Sequence, residues 1–78
     1  MDLGHWPTHA EGRVVTVDLE DSIRLRLSEH GLRAGAIVRV THRAAFGGRV
    51  VAIGADRFAV DGRTCALIEL EAPGGSRP

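Results

Sequence analysis

The chain has 78 residues, a net charge of zero and a single cysteine. The length and the cysteine count each exclude a class of protein. The length allows one small core, so we expect one domain that binds its ligands on the outer surface rather than in an enclosed cavity. The 44% hydrophobic content argues against intrinsic disorder. A lone Cys65 excludes an internal disulfide framework and favours a cytoplasmic protein over a secreted one.

Charge is distributed unevenly along the chain. All ten basic residues are arginine, and residues 1–21 carry five acids against one arginine. Residues 22–49 reverse this balance, with six arginines against one glutamate. The arginine-rich part is either a solvated face or a basic face for an acidic protein surface, phosphate or an anionic membrane. Because no apolar run approaches the ~18 residues of a membrane span and no signal peptide follows Met1, we expect no membrane insertion.

Residues 1–10 show no periodicity and are interrupted by Pro7. We interpret them as an N-terminal tail or as a segment that covers a strand edge, with Trp6 closing one end of the core. His5 and His9 are four residues apart, which suits a metal ion only on a helix, and Pro7 disfavours that helix.

The first strand is predicted over residues 11–18, which are rich in β-branched residues. Simple alternation would place Val15 and Val17 on one face of this strand, and Val14 and Thr16 on the other.

Residues 18–31 carry two competing patterns. The alternation from Ile23 to Leu27 is typical of a strand, whereas acidic residues at the start and Gly31 at the end favour a helix. We predict a helix whose apolar face is formed by Leu19, Ile23, Leu27 and His30. At 100° per residue, Leu25 then points away from this face. Leu32, after the glycine, is expected to fold back on the core.

Four further strands are predicted downstream, over residues 36–43, 49–54, 57–60 and 67–71. A glycine-containing hairpin loop at 44–48 separates the first two of these strands, and one helical turn at 63–66 separates the last two. The composition of 72–78 predicts a disordered C-terminal tail. The fold is therefore mainly β: a small SH3-like or OB-like partly open barrel of about five antiparallel strands, with one short α-helix inserted after the first strand and domain bounds at 11–71.

Candidate chemistry is sparse. No catalytic constellation has supporting context, so we expect no enzyme activity and no cofactor; Cys65 lacks a CxxC partner and is expected to be a buried thiol. His5, His9 and His42 are weak metal-ligand candidates, and no metal site is predicted from them. Only three aromatic residues are available to stack on bases and the pI is near neutral, so nucleic acid is not the expected partner.

One run of sequence is more specific. Residues 26–40, RLSEHGLRAGAIVRV, contain an Arg-Leu pair, a Gly-Leu pair, a turn that ends in glycine, and a strand. This order resembles the FeoA family, the small cytoplasmic accessory proteins of bacterial ferrous iron uptake. The Gly47-Gly48 hairpin, the strand at 57–60, and Cys65-Ala66 followed by Ile68 agree in order, so the resemblance covers about residues 12–71.

The sequence also departs from the family pattern. His30 stands where the family usually has leucine, Ala34 where proline is common, and Cys65 where alanine is common. A cysteine at a position where alanine is common agrees with a thiol that is packed in the protein rather than reactive.

The resemblance implies a non-enzymatic protein that acts with FeoB, the membrane Fe(II) transporter with a cytoplasmic GTP-binding domain. Because Leu25 has no core to enter, we expect the partner-binding surface to comprise Arg24, Leu25, Arg26, Arg33 and Phe46. The inner face of this segment would attach the helix to the barrel through Leu27, Leu32, Ile37 and His30.

The alternative functions are those of a nucleic-acid-binding small barrel and of a transition-metal-binding module related to the C-terminal domain of DtxR-type repressors. Weak self-association also stays open.

Overall fold

The computed structural model describes residues 1–74, which form a mainly β domain. Its strands are β1 (Glu11–Val17), β2 (Ile37–Arg43), β3 (Arg49–Ile53), β4 (Asp56–Val60) and β5 (Ile68–Glu71). Helix α1 (Asp21–Glu29) lies between β1 and β2, and the short helix α2 (Gly62–Cys65) lies between β4 and β5. All pairings are antiparallel in the order β4–β3–β2–β1–β5, and β4 and β5 are the two ends of the order, so the sheet is not closed. The predicted fold class, five antiparallel strands with one helix inserted after the first, is confirmed.

The core lies between the inward faces of the curled sheet and is entirely aliphatic apart from one thiol. No polar or charged residue among residues 1–74 is buried in it. Its buried members are Leu3, Val14, Val17, Leu32, Val38, Val40, Val51, Val60, Cys65, Ile68 and Leu70. Trp6, Leu19, Leu27 and Phe58 are among the partly buried residues that pack around it.

A β-bulge in β1 makes the predicted alternation of this strand wrong. Val14 pairs with Leu70 and Thr16 with the adjacent Glu69, so Val15 is an extra residue in the ladder. The bulge shifts the phase by one residue, and Val14 and Val17 are therefore both buried, at 1% and 7% exposure. Val15, expected on the same face as Val17, is instead 41% exposed.

Helix α1 ends as predicted, at a glycine in the left-handed region. Gly31 has a φ of 94°, its N–H donates to the Ser28 carbonyl at 2.9 Å, and the Leu32 N–H donates to the Leu27 carbonyl at 2.9 Å. These two bonds are those of a Schellman motif, in which the residue after the glycine packs back on the domain. Leu32 is accordingly fully buried, which confirms its predicted position.

Residues 1–10 cover the free edge of β5, which corresponds to the second interpretation of this segment rather than to a tail. The Leu70 N–H donates to the Met1 carbonyl at 2.9 Å, and Asp2 forms an isolated β-bridge with Glu69. Leu3, in a 3₁₀ turn over Leu3–His5, is fully buried. This segment is therefore part of the domain.

The described residues contain no helix long and apolar enough to cross a membrane. At the other end of the chain, residues 75–78 of the predicted C-terminal tail lie outside the described part.

Candidate partner-binding surface

Helix α1 lies on the domain without burying any of its residues. Leu27 is half-buried and packs against the core, whereas Leu25 is 62% exposed. Ile23, predicted on the inner face, is intermediate between them with 38% of its surface exposed. The predicted helix phase is thus correct for Leu25 and Leu27. The apolar inner face is narrow, because Leu25 is directed away from it. The helix therefore stays largely exposed to solvent.

Three features attach α1 to the sheet. Leu32 anchors its C-terminal end in the core, Leu27 packs beside it, and the His30 ring lies against the Phe58 ring with 5.3 Å between the ring centroids. The prediction that Ile37 contributes to this attachment is wrong. Val38 points into the core from the same strand, so its neighbour Ile37 faces outward and is 41% exposed.

Arg24, Leu25 and Arg33 line one shallow surface pocket, together with Asp21 and Ser28. The pocket has a volume of about 430 Å³. Arg24 forms an ion pair with Asp21 one turn earlier on the helix. Arg33 reaches the pocket from the turn after the helix, since Gly31 reverses the direction of the chain. We call this group of five residues the α1 surface.

The α1 surface continues into an open groove of about 530 Å³ beside β1. Arg24 and Arg33 line both depressions, so the two form one continuous surface. The groove is completed by Val15, Thr16, Val17, Asp18 and Ala34. This groove is not predictable from the sequence, because Val15 is exposed only through the bulge, and the run of β-branched residues in β1 carries no local signal for a bulge.

Arg26 and Phe46, the remaining members of the predicted binding surface, line neither depression. Arg26 is exposed on α1. Phe46 lies in the loop between β2 and β3, whereas Gly31, at the end of α1, lies next to Ile53 at the other end of β3. The structure therefore brings Arg24, Leu25 and Arg33 together and places Phe46 at the opposite end of the β2–β3 hairpin.

The candidate metal ligands do not converge. The His5 imidazole pairs with the Asp2 carboxylate, with 2.7 Å between Nδ1 and Oδ1, and the His42 Nδ1 lies 3.0 Å from the Thr41 hydroxyl. His9 is exposed on a separate turn. Within residues 1–74, no group of three or more histidine, cysteine, aspartate or glutamate side chains is placed to hold a metal ion. The three histidines therefore do not form a site with each other.

Cys65 is a buried thiol, as predicted. It is fully buried, and its Sγ lies 3.5 Å from the Val60 carbonyl oxygen. Burial raises the pKa of the thiol to about 11, because a thiolate would lose its hydration in the core. At neutral pH the thiol is therefore protonated, which makes it a poor nucleophile.

Comparison with solved structures finds the same architecture in several proteins. The FeoA protein from Chlorobium tepidum is 23% identical, with a TM-score of 0.86 over 99% of this chain and 74% of that one. Iron(II) transport protein A from Clostridium thermocellum is 24% identical, with a TM-score of 0.84 over 96% of this chain, and the chain spans 47% of that protein's length. Both are similar in fold.

A third structure is similar in sequence as well. The FeoA of Stenotrophomonas maltophilia, solved in complex with zinc and described as a unique prokaryotic SH3 domain protein, is 32% identical. Its TM-score is 0.75 over 91% of this chain and 89% of that one. No curated protein matches the chain. The model of the FeoA domain matches residues 1–72, a range that includes the N-terminal segment packed on β5. The chain therefore belongs to the FeoA family, whose members are involved in ferrous iron transport.

Proposed function

We propose that this chain is a non-enzymatic accessory protein that binds the cytoplasmic part of a FeoB-type Fe(II) transporter through the α1 surface. The observation that carries the proposal is Leu25, which is 62% exposed on a helix that buries none of its own residues. The similar S. maltophilia protein is described as possibly acting as a bacterial ferrous iron transport activating factor. A regulatory contact with the transporter is one way for a small domain to have that effect.

Leu25 supplies the apolar part of the proposed contact. At 62% exposure Leu25 contributes little to folding, and burial of its exposed part in a protein interface is favourable by roughly 1–2 kcal/mol. In protein interfaces a few fully buried side chains carry most of the binding free energy, and the contacts around them mainly exclude water. The open groove beside β1, with exposed Val15, extends the apolar area next to it.

The arginines supply polarity and orientation. Arg24 is already paired with Asp21, whereas Arg33 forms no ion pair within residues 1–74. Arg33 is therefore free to pair with a carboxylate of the partner, for which its planar guanidinium is well suited. We accordingly expect an apolar pocket with an acidic residue beside it on the transporter.

The test is retention of the chain by the immobilised cytoplasmic GTP-binding domain of the transporter. Leu25→Gln is expected to weaken binding at least tenfold, and Arg33→Gln by a smaller factor. Ile37→Thr is the matched control, since Ile37 is also exposed and apolar but lies outside the α1 surface. All variants should keep the wild-type circular dichroism spectrum. Wild-type binding by Leu25→Gln would refute the assignment of the surface, and unfolding of this variant would show that Leu25 stabilises the domain.

A further inference from the structure

Phe46 is a residue whose identity folding does not explain. Its side chain is 100% exposed. Its backbone, at φ 57° and ψ 39°, lies in the left-handed region, where a residue with a Cβ is strained and glycine or asparagine is usual. A chain selected only for stability would not place a fully hydrated phenylalanine there. An outlier of this kind points to a function for the side chain.

The loop that carries Phe46 is held rigidly by contacts that do not involve the phenyl ring. We call residues Ala44–Gly48 the Phe46 loop. The Gly48 N–H donates to the Ala45 carbonyl at 3.1 Å, and the Ala44 N–H donates to the Gly48 carbonyl at 2.9 Å. The Arg49 guanidinium donates to the Gly48 carbonyl at 2.8 Å and to the Gly47 carbonyl at 3.1 Å.

Helix α2 closes the loop from the other side. A Cβ on Gly62 would overlap the Phe46 carbonyl oxygen and lie 3.1 Å from the Gly47 carbonyl carbon, so α2 and the loop are in direct contact. The loop backbone is therefore fixed before any ligand binds. Such preorganisation lowers the entropic cost of presenting one aromatic side chain to a partner.

Basic residues surround this apolar tip. Arg43 and Arg49 face each other across β2 and β3 at the base of the loop, and Arg63 follows Gly62 on α2. Neither Arg43 nor Arg63 forms an ion pair within the described residues, and both are exposed. The acid next to this helix in sequence is Asp61, the N-cap residue of α2, whose carboxylate accepts a hydrogen bond from the Thr64 N–H at 2.7 Å. The tip is therefore apolar and its surroundings carry net positive charge.

We propose that the Phe46 loop is a peripheral contact with an anionic membrane surface, in which the phenyl ring enters the interface and the arginines bind lipid phosphates. A single convex apolar tip with cations on two neighbouring elements matches a fluid anionic surface, because lipid phosphates adjust to the cations and need no preformed pocket. Only one side chain enters the bilayer interface. The α1 surface lies at the other end of the β2–β3 hairpin and stays available, so this contact is independent of the proposed transporter contact.

The proposal is tested with vesicles and without the transporter. The full chain is co-sedimented with vesicles of phosphatidylglycerol and phosphatidylcholine in equal parts, and with vesicles of phosphatidylcholine alone. Wild type should bind the anionic vesicles only, and binding should fall as salt rises to roughly 0.5 M, because screening weakens surface electrostatics. Phe46→Asn, which tolerates the left-handed backbone, should lower the partition coefficient about tenfold, and Phe46→Trp should retain binding.

Charge variants provide the second arm. The Arg43→Gln/Arg63→Gln double variant should lose roughly tenfold to thirtyfold in affinity, given the contribution of each arginine near an anionic surface. Arg39→Gln/Arg57→Gln removes the same charge from the sheet face elsewhere and should lose less, so it serves as the matched control. Ile37→Thr controls for the loss of an exposed apolar side chain.

Three results would overturn the membrane contact. The first is that wild type does not bind anionic vesicles, and the second is that Phe46→Asn binds them as tightly as wild type. The third is that the Arg43/Arg63 and Arg39/Arg57 double variants lose the same affinity for these vesicles. If Phe46→Asn weakens binding to the transporter domain but wild type ignores vesicles, the loop is a protein contact and the proposal is wrong. Leu25→Gln separates the two proposals, because it should bind vesicles like wild type while failing to bind the transporter domain.

Discussion

Replacing Leu3 with alanine tests whether the N-terminal segment is part of the domain. Leu3 is fully buried, and the change removes three carbon atoms from the core. At about 0.8 kcal/mol per buried methylene the transfer loss is roughly 2.4 kcal/mol, and the cavity left behind brings the expected cost to about 3 kcal/mol. For a domain of this size the total stability is on the order of 4–12 kcal/mol. The melting temperature should therefore fall by roughly 12–24 °C.

The assay is urea unfolding of wild type, Leu3→Ala and the control Leu25→Ala. Leu25 is the same residue type but 62% exposed, so its replacement should cost roughly 1 kcal/mol or less. The dependence of the unfolding free energy on urea should be equal in all three proteins, since the same surface is exposed on unfolding. A cost below about 1 kcal/mol for Leu3→Ala would refute the packing of residues 1–10 as a structural part of the domain.

Two further predictions concern the helix terminus and the thiol. Gly31→Ala should destabilise the domain more than Gly35→Ala in thermal unfolding: both glycines have positive φ, but only a Cβ at Gly31 meets a side chain, 3.1 Å from the Ile53 Cγ2. Equal losses would show that the contact with Ile53 is unimportant. The pKa of Cys65 is about 11 in the folded state against 9.0 for a free thiol. Between these values the unfolded chain releases a proton that the folded chain keeps, so stability should fall as pH rises from about 9 to 11. This decline should be absent in Cys65→Ala, and a thiol reagent at pH 7 should label Cys65 only after unfolding. Labelling of the folded protein would contradict its burial.

The parts of the fold that follow from short-range physics are predictable from sequence. Gly31 is a reliable helix end because it alone in that segment adopts a positive φ without strain, and Leu32 is then directed to the core by the motif itself. The outward direction of Leu25 follows from the helical repeat once the helix is chosen over the strand.

The parts that depend on distant partners are not predictable in this way. The bulge at Val15 exists because β1 must match β5 across 50 or so residues of chain, and nothing in the β-branched run of β1 marks the extra residue. Leu3 is buried in a single 3₁₀ turn that is too short to show periodicity. The separation of Phe46 from the α1 surface likewise follows from the β2–β3 hairpin, and no local pattern in the sequence indicates how this hairpin runs relative to α1.

The two proposed surfaces have different tasks. The α1 surface would bind the transporter through Leu25 and Arg33, and the Phe46 loop would hold the domain against the membrane in which the transporter lies. Because the two lie at opposite ends of the β2–β3 hairpin, they can act at the same time. Each weak contact would then raise the effective concentration of the chain for the other.

Amide hydrogen exchange of the chain, with and without the cytoplasmic GTP-binding domain of the transporter, tests the central claim most directly. Binding through the α1 surface predicts slower exchange in α1 and in residues 33–34, with the Phe46 loop and the outer face of β2 to β4 unchanged. Helix α1 is an informative segment, because none of its residues is buried in the free domain and contact with a partner would add protection there. Protection confined to the sheet face or to the Phe46 loop, with α1 unchanged, would contradict the account.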